Sequence, residues 1–317
     1  MNETELSIEI KWEVFRHSLY ILQGTGLIAF NALIVLTIAR HEALRSSKEF
    51  VLLACLALTD CFGGLAVFSA GLYRIPVWLS HRHTEQASRR FCLLTPMNLL
   101  WSVFYCAEYT MLIVVSFDRL LAVTDPLLYF GLGLNYTKLL VVVAYFPTVV
   151  MAARTYVGNW HDISKVTKIC WSSMAFGRDD TAMRDATNTT SAVISISLYL
   201  LVPLIHWRHT RTVVQPYVAD NPHHDTDFQF RLTKTVATSC LCTFLLCVVP
   251  WLVNVLLMRY LPFKYTEFWV WMFILSNTNP LLNLWIYLSK QKHFRMGFLS
   301  LLSNKTLPPT LRQWCTG

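Results

Sequence analysis

Four side chains in this sequence carry charge where the chain is otherwise apolar. Asp118 and Arg119 stand side by side at the close of the run Leu93 to Phe117, while Asp60 and Glu108 are isolated acids inside apolar stretches. A charge in hydrocarbon is expensive, so each belongs at a membrane surface or in a protein-lined cavity. Leu120-Leu121-Ala122-Val123 carry a helix about one turn further before Asp125-Pro126 stops it, which puts the acid–base pair inside a helix end. As a plain surface ion pair it would be worth about 0–1 kcal/mol. Asp60 could be a hydrogen-bonded structural group, but acids within membrane segments usually mark function. His223-His224 with Asp225 and Asp227 could hold a metal, although a polar loop accounts for them better.

The elements that position these groups follow from composition. Hydrophobic residues make up 54% of the chain and charged ones 15%, with a mean hydropathy of +0.42, so a soluble globule would expose too much apolar surface. Seven apolar stretches are long enough to cross a bilayer: 20–40, 50–73, 93–122, 139–158, 190–207, 235–258 and 266–288. Lipid offers the backbone no hydrogen-bond partners, so the spans are helices and the fold class is an all-α membrane protein, a seven-helix bundle. The long connections are 159–189 and 208–230. From Lys290 to Leu302, Phe294, Phe298 and Leu301 fall at helical spacing among polar residues, the pattern of a short amphipathic eighth helix lying on a membrane face. The expected organisation is 1–18 as an N-terminal segment, 19–288 as the bundle and 289–317 as amphipathic helix and tail. No apolar core of a cleaved signal peptide is visible in the first residues. Cys55, Cys61, Cys106, Cys240, Cys242 and Cys247 lie in apolar spans and read as inert small hydrophobes.

Lys and Arg divide almost evenly between the two sides, so charge does not set orientation. Motifs do. The string Asp118-Arg119-Leu120-Leu121-Ala122-Val123 with Pro126-Leu127 resembles the cytoplasmic end of the third helix of rhodopsin-like G-protein-coupled receptors, with Leu120 where Tyr is usual. Asn31 in Phe30-Asn31-Ala32-Leu33-Ile34-Val35 resembles the first-helix asparagine of that family, and Leu56-Ala57-Leu58-Thr59-Asp60 its second-helix motif. Phe244 and Cys247-Val248-Val249-Pro250 are similar to the sixth-helix motif, with Val248 for tryptophan. Asn283-Leu284-Trp285-Ile286-Tyr287 stands for the seventh-helix motif, with the proline moved upstream to Asn279-Pro280 and Phe294 seven residues after the tyrosine. Pro203 resembles the fifth-helix proline. These departures look similar to divergent invertebrate, particularly nematode chemosensory or peptide-type, receptors.

The resemblance implies a plasma-membrane receptor with its N-terminus outside, which binds an extracellular peptide or small chemosensory molecule and activates a heterotrimeric G protein. Asp118, Arg119 and Tyr287 would form the switch. Asp118 would hold Arg119 at rest; the acid that often restrains the arginine from the sixth helix is replaced by Phe230, so the resting state is expected to be loosely held and basal signalling raised. Asn31, Asp60, Glu108, Asn279 and Asn283 would line a buried polar site, where Asp60 and Glu108 cannot both stay ionised without a cation and would share a sodium ion or a proton. If Glu108 turns away, it bonds instead to a neighbouring helix. Trp101, Tyr105, Trp251, Asn254, Trp269, Phe273 and Asn277 are the ligand-pocket candidates. Cys92 and Cys170, on the oxidising side in this orientation, would form the family's disulfide, although Cys92 lies about two residues further from Arg119 than usual. Asn2 and Asn188 head outward-facing glycosylation sequons; Cys315 is free or palmitoylated. No retinal is expected, because the lysine position reads Asn277. Neither catalysis nor nucleic-acid binding is expected; the remaining partner is membrane lipid. A transporter or channel is the competing class, but no paired halves with broken helices are visible.

Overall fold

A computed structural model describes residues 3–212, 238, 241–242, 245–246, 249, 253 and 266–303. The long helices are α1 (Glu3–Arg40), α3 (Lys48–Leu79), α5 (Pro96–Thr124), α7 (Leu134–Asn159) and α9 (Arg178–Thr212). Short pieces join them: α2 (Glu42–Arg45), β1 (Gln86–Ser88), α4 (Arg89–Leu93), α6 (Pro126–Gly131), β2 (Lys165–Thr167) and α8 (Ser172–Phe176). Beyond residue 265 come α10 (Thr266–Ser276), α11 (Asn279–Lys290) and α12 (Lys292–Ser303). Among the described residues, four helices are long and apolar enough to cross a membrane: Glu5–Arg40, Lys48–Leu79, Pro96–Thr124 and Leu134–Asn159. On α7, Leu139, Val142, Val143, Phe146, Val149 and Val150 are each at least half exposed. Such a run on one helix would be a liability in water and is ordinary against lipid.

Several boundaries differ from the hydropathy reading, each for a physical reason. Helix α1 runs unbroken from Glu3, because its polar first turns pack on protein. Its Ile10 joins Val77, Trp78 and Ile169 in a buried cluster. The third span starts at Pro96 rather than residue 93. Cys92 sits in the separate α4, and the turn at Leu94–Thr95 absorbs the extra residues between the cysteine and Arg119. The supposed loop 159–189 ends at Gly177, since α9 starts at Arg178; its first turns carry Asp179, Asp180, Arg184, Asp185 and Asn188, which masked the helix from hydropathy. In the seventh span a turn at Asn277–Thr278 divides α10 from α11, with Pro280 in the first turn of α11, where a missing N–H costs nothing.

The chain forms two compact units, Met1–Phe30, Thr59–Glu108 and Tyr145–Asn188 in one, Asn31–Leu58, Tyr109–Ala144 and Thr189–Gly317 in the other. In the first, α1 and α3 approach at glycines. A Cβ on Gly24 would come within 2.6 Å of the Phe68 backbone nitrogen, and one on Gly64 within 2.7 Å of Leu27 Cβ. Small residues at such a contact let helix backbones pack closely in lipid. At the far end of this unit the Cys92–Cys170 disulfide is formed. It is buried with Leu93, Met97, Ala175 and Phe176, and β1 pairs antiparallel with β2, Ala87 opposite Val166. Arg74, 5% exposed, lies 4.1 Å from the Trp171 ring centre and donates to the carbonyls of Ile169 (3.2 Å) and Cys170 (3.4 Å), fixing the disulfide loop to α3. In the second unit, Ile34, Ile38, Leu44, Phe50, Leu53, Ala57, Leu284, Ile286, Tyr287 and Phe294 make one buried cluster. The expected eighth helix is α12; Phe294 meets Tyr287 edge-on at 5.9 Å, and the His41 ring hydrogen-bonds the Gly297 carbonyl at 2.8 Å.

Candidate functional site

The acid–base pair that stands out in the sequence is the centre of a buried polar network in the second unit. Asp118 and Arg119, on the last turns of α5, are 0% and 2% exposed. Arg119 Nε donates to Asp118 Oδ2 at 3.1 Å, and its Nη2 bonds the same oxygen. That nitrogen also donates to the Tyr129 hydroxyl at 3.0 Å. Tyr129 Oη lies 3.0 Å from Glu49 Oε1 and 3.4 Å from Asp118 Oδ2, so its single proton goes to Glu49 at the shorter separation. Ser47 Oγ donates to the other Glu49 oxygen at 2.5 Å. Lys48 Nζ bonds the Tyr129 carbonyl and sits 4.0 Å from the centre of its ring.

Local structure explains how Tyr129 reaches this place. Pro126 stops α5 and opens α6; Asp125 caps the new helix by accepting from Leu128 N at 3.0 Å. One turn later Tyr129 points inward and is 1% exposed. Burial lifts its phenol above the ordinary range; Arg119 opposes the lift, and the Glu49 and Asp118 carboxylates add to it. The hydroxyl therefore stays a donor at any physiological pH. Two cations balance two anions, Glu49 and Asp118: Arg119 is buried with them, and Lys48 is partly exposed at the edge of the cluster. Arg119 Nη1 and Asp118 Oδ1 are buried without a hydrogen-bond partner among the described residues, so the cluster holds both a spare donor and a spare acceptor.

Arg119 therefore meets Tyr129 as well as its expected partner Asp118, while the sixth-helix position Phe230 lies outside the described residues. Glu49 at the start of α3 and Tyr129 on α6 add restraints. Sequence reasoning missed both, although Lys48-Glu49 at a span's edge and a tyrosine three residues after the helix-stopping proline were visible signals. Tyr287, the third expected switch residue, is 3% exposed in the apolar cluster with Phe294.

The expected polar-site residues fall in both units. Asn31, Asn279 and Asn283, in the second, are 0%, 4% and 5% exposed; Asp60, in the first, is 5% exposed. Glu108 is partly buried on α5. Of the ligand-pocket candidates, Trp101 and Tyr105 stack at 4.7 Å in the first unit, while Phe273 and Asn277 lie in and just after α10, with Asn277 Nδ2 donating to the Phe273 carbonyl at 2.8 Å. Trp251, Asn254, Asn2, Cys315, Phe230, Phe244, the 247–248 pair, Pro250 and the histidines at 223–224 lie outside the described residues, as does the side chain of Trp269. Asn188 corrects the glycosylation reading: it lies within α9 at 5% exposure, which leaves no room for an oligosaccharide.

Residues 30–287 match the family model described as 7 transmembrane receptor (rhodopsin family). No curated protein matches the chain.

Proposed function

This chain belongs to the rhodopsin family of seven-transmembrane receptors, and from that premise we propose that it binds an extracellular ligand and drives nucleotide exchange on a heterotrimeric G protein at the face where Arg119 lies. The N-terminus is then outside the cell, the Cys92–Cys170 end carries the ligand, and the protein transmits a conformational change without catalysing a reaction. The observation that supports this reading is the buried network of Asp118, Arg119, Tyr129 and Glu49, with Lys48 at its edge. Taking Asp118, Arg119 and Glu49 out of water costs several kcal/mol for each ion before pairing, and apolar residues would fill the same space at less cost. A cluster whose members can exchange partners, with a donor on Arg119 and an acceptor on Asp118 in reserve, suits a switch better than a brace. The arrangement described is then the resting one, and activation frees Arg119 toward the G protein.

The test is agonist-driven nucleotide exchange in an Arg119→Ala variant at equal surface density. Exchange should be lost while surface density and ligand binding persist; normal exchange would remove the assignment. Ion flux without nucleotide exchange would instead favour the transporter or channel class.

A further inference from the structure

The end of the first unit that carries the disulfide is strongly basic. Between Ser80 and Leu93 and between Trp160 and Trp171 the chain has five Lys and Arg side chains, Arg82, Arg89, Arg90, Lys165 and Lys168, against two acids, Glu85 and Asp162. Local structure gathers them. Strands β1 and β2 pair antiparallel; Lys168 N closes one end of the ladder by donating to the Glu85 carbonyl at 2.9 Å, and Arg89 N closes the other by donating to the Ser164 carbonyl at 2.9 Å. Side chains alternate across a strand. Ala87 and Val166 pack inward on the disulfide cluster, which leaves Gln86, Ser88, Lys165 and Thr167 on the opposite face.

Both acids are already paired. Arg82 Nε donates to the two Glu85 carboxylate oxygens at 2.9 Å, and Lys168 Nζ to one of them at 2.7 Å. Asp162 pairs with Arg89 and accepts from Ser164 N at 2.8 Å. Two exposed cations then stand without a carboxylate among the described residues: Lys165, opposite Ser88 in the ladder, and Arg90, two residues beyond Ser88. The Arg90 guanidinium lies 4.2 Å from the centre of the Trp160 ring. Stacking engages the flat face of the group, fixes its position and leaves the N–H donors at its edge for an anion. Surface ion pairs are weak, so Arg82 and Lys168 can turn from Glu85 to an anion of higher charge.

We infer that this basic cap binds a sulfated polysaccharide of the cell surface. Its cations divide between the two ends of a ladder that runs about 13 Å from Glu85 to Arg89. One small anion does not meet both sets, whereas a chain with sulfates on successive sugars does. The outward face of the ladder is polar and lacks the apolar anchors on which a protein partner depends. On the receptor reading above, this end is outside the cell, where a disulfide persists, and the anionic lipids of the membrane lie in the other leaflet. The inference rests on that reading for orientation alone.

Three immobilised polymers test it against the full-length protein in nanodiscs of zwitterionic lipid: heparin, hyaluronan, which carries carboxylates but no sulfate, and poly-L-glutamate. No G protein or nucleotide enters the readout, so a failure here is distinct from a failure of the receptor reading. Heparin should be bound most tightly, and its affinity should fall about tenfold or more from about 50 to about 200 mM salt. Replacing both free cations, Arg90→Gln with Lys165→Gln, should weaken heparin binding about fivefold or more. No binding to heparin, equal binding to hyaluronan, or full heparin affinity in the double variant overturns the inference. Equal binding to poly-L-glutamate gives the face to an acidic protein and overturns it as well. If the double variant does not fold, Lys165→Gln on the outward face of the ladder replaces it, with a loss of about twofold or more expected.

Discussion

Replacing Tyr129 with Phe removes one oxygen from the Arg119 network and leaves the ring's packing intact. Two hydrogen bonds disappear, Arg119 Nη2 to Tyr129 Oη and Tyr129 Oη to Glu49 Oε1, both 3.0 Å. Arg119 keeps Asp118, but Glu49, 8% exposed, loses a donor to one carboxylate oxygen. Hydrogen bonds to charged groups are worth about 1.5–3 kcal/mol. If the network exists only in the resting conformation, a loss of that size shifts the equilibrium toward the active one by roughly ten- to a hundredfold. Basal nucleotide exchange by the purified receptor in nanodiscs, at matched density and without agonist, should rise until it approaches the agonist-driven maximum. The agonist-driven maximum itself should change little, because the Arg119 side chain remains. Glu49→Gln should raise basal exchange in the same direction, and the double variant should add less than the sum, since Glu49→Gln takes the charge from the bond that Tyr129→Phe removes. Unchanged basal exchange in Tyr129→Phe, or strict additivity in the double variant, would show that the network is a brace and not a restraint on Arg119.

Three further expectations follow from other parts of the molecule. Cys92→Ser or Cys170→Ser should lower surface expression sharply, since a bridge closing a loop of 78 residues contributes about 2–5 kcal/mol, whereas Cys242→Ser should be mild; equal expression of all three would count against the disulfide's role. We further propose that Asp60 and Glu108 act as a coupled cation- or proton-sensitive pair, so agonist affinity in Asp60→Asn and Glu108→Gln should respond to sodium and pH differently from wild type; identical responses in all three would dissolve the pair. On the surface, hydrogen bonds from Arg82 and then Lys168 hold the Glu85 carboxyl down to about 2. A depressed carboxylate adds stability above its unfolded value near 4.3 and loses it only as pH falls through the folded value. The contact from Glu85 to the disulfide loop should therefore persist through pH 4, and a Glu85 protonation midpoint above 4, read by carboxyl NMR, would contradict the pairing.

Much of this protein is written in the order of its residues. Length and spacing of apolar runs require membrane helices, because lipid leaves the backbone no other partner. Asp118, Arg119 and Pro126 mark one helix end unaided, and Phe294 after Tyr287 marks the eighth helix, since each is a local pattern on one or two turns. Only tertiary structure decided the rest. Glu49 and Tyr129 come from sequence positions 80 residues apart, and nothing in either neighbourhood shows that they share a proton beside Arg119. The polar turns that open α1 and α9 fail every hydropathy window, yet are helical because Ile10 and Arg184 find protein partners: an apolar cluster for one, the Ser102 carbonyl and Thr155 hydroxyl for the other. The sequon at Asn188 has the local letters for glycosylation, but α9 buries its side chain. Local pattern fixes what a segment of backbone can form, whereas contacts between distant segments, set by packing, fix which polar groups meet and what they do there.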